Sequence, residues 1–99
     1  MAKPKQEIIV DIKAHISDCG GSYSDWYVGI TEDAKRRVFE GHGIEKGKDP
    51  YIWRTAVSSK VAREIEKHFL DLGCDGGTGG GDADAEIVYS YKKSSRTDP

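Results

Sequence analysis

Apolar residues fall into a few stretches separated by polar or glycine-rich breaks, and their spacing predicts the elements. Residues 7–16 fit two templates: Ile8, Val10, Ile12, Ala14 and Ile16 alternate as in a strand, while Ile8, Ile9, Ile12 and Ile16 share a helical face. Periodicity leaves helix and strand both open. Ser17 to Asp25, with Gly20-Gly21 and three serines, reads as a loop, and Trp26 to Ile30 as a short, bulky, β-favouring run. Thr31 suits a helix N-cap, with Glu32 and Asp33 at the positive dipole end, and predicts a helix to about Glu40 that Gly41 and Gly43 stop. The polar stretch 43–50 is a loop.

Tyr51 to Val57 predicts a second strand. Ser58 or Ser59 then caps the strongest helix, 60–72, whose stripe is Val61, Ile65, Phe69 and Leu72. Gly73 ends it. The loop 73–85 carries six glycines between Gly73 and Gly81, too many to hold regular structure. Glu86 to Lys92 alternates into a last strand, followed by a polar tail, 93–99. No segment repeats another.

At 99 residues, 36% apolar and 32% charged, the chain has room for one core, so residues 1–99 are expected to form one α+β domain. No stretch approaches the roughly 18 apolar residues of a membrane helix, and Met1 to Gln6 is too polar to begin a secretion signal, so a cytoplasmic location without membrane contact is expected. Cys19 and Cys74 then read as free thiols. A net charge of −2 speaks against a dedicated nucleic-acid binder. The positive charge is nonetheless concentrated centrally, in Lys35-Arg36-Arg37 with Lys46, Lys48, Arg54, Lys60 and Arg63, and its acidic counterweight lies largely between Asp71 and Glu86.

The run Trp26-Tyr27-Val28-Gly29-Ile30-Thr31, followed by Asp33, Arg37 and His42, resembles the second half of the GIY-YIG nuclease motif, in which a Tyr-Ile-Gly strand leads through a threonine into a helix carrying an arginine and often a later histidine. Tyr27-Val28-Gly29 stands for that tripeptide. Arg37 lies six residues past Thr31, as the resemblance requires, while His42 falls one residue late. Ala62-Arg63-Glu64-Ile65-Glu66 has the form of the family's later helix, whose glutamate binds a single catalytic metal ion. The family's Gly-Ile-Tyr strand ordinarily comes first, and nothing between Ala14 and Ser24 supplies it. Ile87-Val88-Tyr89-Ser90-Tyr91-Lys92 has the needed texture at the other end of the chain. A circularly permuted arrangement follows, with Tyr89 for the missing tyrosine and residues 7–16 released to be a helix.

The resemblance implies a small three-stranded antiparallel sheet flanked by helices, and Mg²⁺-dependent endonuclease activity on DNA. It assigns Glu66 to the metal, Arg37 to the phosphate, and Tyr27 with Tyr89 to the attacking water. On a helical wheel Arg37 borders the apolar side and Arg36 faces away, while Glu66 lies beside the next helix's stripe and Glu64 on its exposed side. Each has a plainer reading. Arg37 could be a surface arginine with its stem on the core edge, Glu66 an ion-pair partner of Arg63 or a strand arginine, and the tyrosines core residues with their hydroxyls at the rim. A phenol, with an ordinary pKa of about 10, needs Arg37 or a metal nearby to serve as base. His42 is expected to donate to phosphate, relay a proton, or simply answer the helix dipole. His15, Cys19, His68 and Cys74 match no closely paired zinc spacing. The alternative function is a non-catalytic module of the same fold that binds nucleic acid or a protein partner.

Overall fold

The computed structural model describes residues 2–44, 49–76 and 84–94. Along them run α1 (Lys5–Cys19), a 3-10 turn (Tyr23–Asp25), β1 (Trp26–Thr31), a π-helical turn (Arg36–Gly41), β2 (Tyr51–Thr55), α2 (Ser59–Leu72) and β3 (Ile87–Lys92). The architecture is α+β.

Residues 7–16 are helical. Ile8, Ile9, Ile12 and Ile16 are all buried, whereas Val10, which strand alternation would bury with Ile8 and Ile12, is 54% exposed. The Pro4 carbonyl accepts from Ile8 N–H at 3.1 Å, and Gly20, at φ +86°, returns its N–H to the Ile16 carbonyl at 2.9 Å. On α2 the N-cap is Ser58, whose hydroxyl accepts from Val61 N–H at 3.2 Å. Its buried stripe is Ala62, Ile65 and Phe69, with Val61 half-buried. Leu72 departs from expectation and is 39% exposed: the chain reverses at Gly73 (φ +115°), and Cys74 enters the core in its place.

The sheet order is β1-β3-β2, so the C-terminal strand is central. It pairs antiparallel with β1 from Trp26↔Lys92 to Thr31↔Ile87, and with β2 from Tyr51↔Tyr91 to Thr55↔Ile87. Alternation divides the sheet into two faces. Trp26, Val28, Ile30, Ile52 and Val88 meet α1 and α2 in the larger core. On the opposite face Tyr27, Tyr89 and Tyr91 pack with Val38 and Ile44, fringed by Phe39, Tyr51 and Trp53.

The glycine-rich segment starts with more order than its composition predicts. Asp75 lies along the outer edge of β1, accepting from Val28 N–H and donating to the Trp26 carbonyl, both at 2.8 Å, because that edge would otherwise leave its backbone groups unpaired. Residues 77–83 of the segment, Lys46 and Lys48 of the basic group, and 95–99 of the tail lie outside the described residues. Among the described residues no helix is long and apolar enough to cross a membrane.

Candidate functional site

The tyrosine face is organised around a missing side chain. Gly29 sits opposite Tyr89 in the ladder, and a Cβ at position 29 would overlap the Tyr89 hydroxyl and its ring carbon. The phenol therefore lies flat across β1, with its hydroxyl over Gly29. Tyr27 is directly opposite Tyr91 and stacks on it, with ring centroids 5.2 Å apart and planes at 21°, and is diagonal to Tyr89 at 6.2 Å.

The π turn brings two further groups to the same hydroxyl. Its start differs from the sequence expectation: Thr31 ends β1, its hydroxyl accepting from Asp33 N–H at 3.1 Å, and Asp33 is the capping residue, with Oδ1 accepting from Arg36 N–H at 3.2 Å. Thr31 is held in the β1 ladder, and the π turn's own N-cap position is Lys35, whose side chain makes no capping bond. At the other end His42 N–H bonds the Arg37 carbonyl at 3.0 Å, a five-residue step instead of the α-helical four. A π turn holds one residue more than an α turn. Both side chains then reach Tyr89, Arg37 Nε donating to its hydroxyl at 3.4 Å and His42 Nε2 lying 2.8 Å from it. His42 Nδ1 is 3.0 Å from the Tyr91 hydroxyl, and the imidazole packs against the Tyr27 ring at 4.8 Å. Four of the expected site residues, Tyr27, Arg37, His42 and Tyr89, thus meet. Arg36, by contrast, points away to Glu40, 3.8 Å distant.

Burial sets the protonation of this cluster. Desolvation pushes the Tyr89 hydroxyl up to about 12, and the Arg37 hydrogen bond opposes that only in part. Tyr89 is therefore a neutral phenol at ordinary pH. It donates a proton readily along a hydrogen bond but does not ionise ahead of a reaction. Donating that same bond to Tyr89 raises Arg37 and keeps its guanidinium charged.

Glu66 stands apart from the four. Half-buried on α2, it is raised above the ordinary carboxylate value by desolvation, against which the charge of Arg63 works in part. Its field reaches Tyr89, where it is the weakest of the influences raising that phenol. No hydrogen bond or ion pair joins it to another described residue. Glu64 is paired with Lys5 at 3.6 Å, and Arg54, the arginine on β2, is engaged by Asp11 at 3.1 Å. Among the described residues the charge acting on it is that of Arg63.

An open cleft of about 420 Å³ is lined by Thr31, Asp33, Arg36, Arg37, Glu40 and Gly41, and of the cluster only Arg37 lines it. Arg37 is the link, exposed to the cleft at one side and bonded to Tyr89 at the other. Sequence reasoning missed Tyr91, although its alternation with Ile87 and Tyr89 was the available signal. It also missed the π turn, for which an α-helical wheel carries none. No family model, curated protein or solved structure matches this chain.

Proposed function

We propose that the chain is a Mg²⁺-assisted, cytoplasmic DNA phosphodiesterase of GIY-YIG type, with the tyrosine-bearing first strand moved to the C-terminus. The observation that carries this reading is the convergence of Arg37 and His42 on one buried Tyr89 hydroxyl, with the Tyr27 ring packed beside them and Arg37 also lining an open cleft. Arg37 offers its outer guanidinium nitrogens to a phosphate oxygen while Nε keeps Tyr89. Tyr89 is 1% exposed, so substrate binding must open the cluster toward the cleft before Tyr89 takes a proton from the attacking water as its own passes to His42 Nε2, a concerted exchange that avoids the phenolate which burial disfavours. Tyr27 packs the imidazole from the side and limits its motion. Glu66 would hold the metal, which when bound supplies Lewis-acid charge to the phosphate.

The non-catalytic reading keeps one specific support, the net charge of −2. A plasmid-nicking assay separates the two. Arg37→Ala and Glu66→Gln should each abolish Mg²⁺-dependent nicking. Glu64→Gln should change little, and Arg36→Ala, in the cleft wall, should weaken DNA association in a way that salt mimics while leaving kcat intact. Wild type that nicks no DNA with any divalent metal would turn the conclusion to a binding module, and equal losses within each pair would overturn the residue roles.

A further inference from the structure

We infer that the half-exposed aromatics at the β2 side of the tyrosine face, headed by Phe39, form a stacking platform for the bases of an unpaired DNA strand. This names the state of the strand that the site takes, and it rests on the phosphodiesterase reading only for what becomes of the strand once bound.

The sheet register lays the aromatic side chains out in two cross-strand rows. Tyr27, Tyr91 and Tyr51 lie opposite one another on β1, β3 and β2, and Gly29, Tyr89 and Trp53 form the next row. The rows are buried around Tyr89 and Tyr91 and become half-exposed at β2, where Tyr51 and Trp53 stack with ring centroids 5.5 Å apart and planes at 24°. Phe39, from the π turn, stands edge-on to both at 5.2 and 5.9 Å. Trp53 is thus the direct cross-strand neighbour of Tyr89, and the platform continues the face that carries the Tyr89 hydroxyl.

Positive charge follows the same path. Phe39 lines a second open cleft, of about 440 Å³, with Asp33, Lys35, Arg36 and Glu40, and Arg36 also lines the cleft that Arg37 enters. Arg36 meets Glu40 at 3.8 Å with the two side chains 80% and 75% exposed, a contact too weakly held to exclude a phosphate. Asp33 spends one carboxylate oxygen on the Arg36 N–H at 3.2 Å. A ligand matching this surface carries a flat ring for Phe39, an anion beside it for Lys35 and Arg36, and a second anion one step along for Arg37. A polynucleotide repeats that pattern, one base and one phosphate at a time. In a duplex the base faces cover each other and only edges and phosphates are presented, whereas an unpaired strand offers its faces to an aromatic side chain.

The test is the tryptophan emission of the full-length protein, titrated in EDTA at one fixed salt concentration with a short unpaired DNA strand and with the duplex it forms with its complement. Trp26 is fully buried in the opposite core, so quenching reports on Trp53. The strand should quench the emission and bind about tenfold or more tightly than the duplex. Phe39→Leu, which keeps the position apolar, should weaken strand binding about ten- to a hundredfold and leave duplex binding unchanged, while Phe39→Tyr should bind the strand as wild type does. No binding of the strand, equal affinity for strand and duplex, binding without quenching, or a folded Phe39→Leu that binds the strand like wild type would each overturn the platform. The first three are read on wild type, so they decide even if Phe39→Leu fails to fold. Cleavage is scored separately: a protein that holds the strand and nicks no DNA sinks the enzymatic reading and keeps the platform, and one that nicks duplex DNA without preferring the strand does the reverse.

Discussion

Glu66 is a carboxylate in an unfavourable place. Its pKa is raised in the folded chain, so its contribution to stability is fully present below the ordinary value of 4.5, where both states are protonated, and is lost as pH rises through the folded value. At neutral pH the ionised side chain works against folding. Glu66→Gln should therefore melt higher than wild type at pH 7, and the gap should close as pH falls below the ordinary carboxylate range. Added Mg²⁺ should raise the wild-type melting temperature and leave the variant's unchanged, because a ligand stabilises only a state it binds. Thermal melts across pH, with and without the metal, check both parts. A variant no more stable than wild type at pH 7, or an equal Mg²⁺ response in both proteins, would mean that Glu66 has a partner other than a cation. Such a stability cost carried by one residue is common where activity needs a strained or desolvated group.

At the scale of elements, two glycines show what the local backbone demands. Gly29 lies under the Tyr89 phenol, and an added Cβ would meet it well inside van der Waals contact, whereas a Cβ at Gly41 in the π turn would come no closer than 3.5 Å to Arg37 Cδ. Gly29→Ala should cost about 1–3 kcal/mol by overpacking, while Gly41→Ala should stabilise by about 0.4–1 kcal/mol by restricting the unfolded chain. Urea denaturation gives both values; equal effects would mean the phenol does not lie across β1. Much at this scale was legible in the sequence. The strand Trp26–Thr31 announced itself by bulk, and α2 by its stripe and by Ser58 and Gly73. The choice of Arg37 over Arg36 and Glu66 over Glu64 came from the family resemblance and from angular position together. The π turn was not legible, because its cause is tertiary: His42 is drawn between Tyr89 and Tyr91, residues 47 and 49 positions away. Residues 7–16 were equally ambiguous by pattern, and only the packing of four isoleucines against the sheet decides for the helix.

Across the whole molecule, β3 is the piece on which everything else waits. β1 and β2 do not pair with each other; each pairs with β3, through six and five residue pairs respectively. Tyr89 and Tyr91 belong to β3 as well, so the last strand in the sequence completes the sheet and supplies two of the three hydroxyls in the cluster. Such long-range pairing must be closed before it is rewarded, which favours slow, cooperative folding over stepwise growth from the N-terminus. A chain ending at Gly76 keeps α1, β1, β2 and α2, and most of the large core's residues, yet leaves both remaining strands unpaired and the tyrosine face without its central strand. It should show no cooperative melting transition and little near-ultraviolet dichroism from Trp26 and Trp53. Adding a peptide of residues 84–94 should restore both, with a melting temperature that rises with peptide concentration as a bound ligand requires. Substituting Val88 in that peptide by aspartate should prevent rescue, since Val88 is fully buried between the sheet and the helices and a carboxylate there would have no partner. A truncated chain that melts cooperatively by itself would show that the helices and β1 form an independent core, and β3 would then be an addition to the fold and not its organiser.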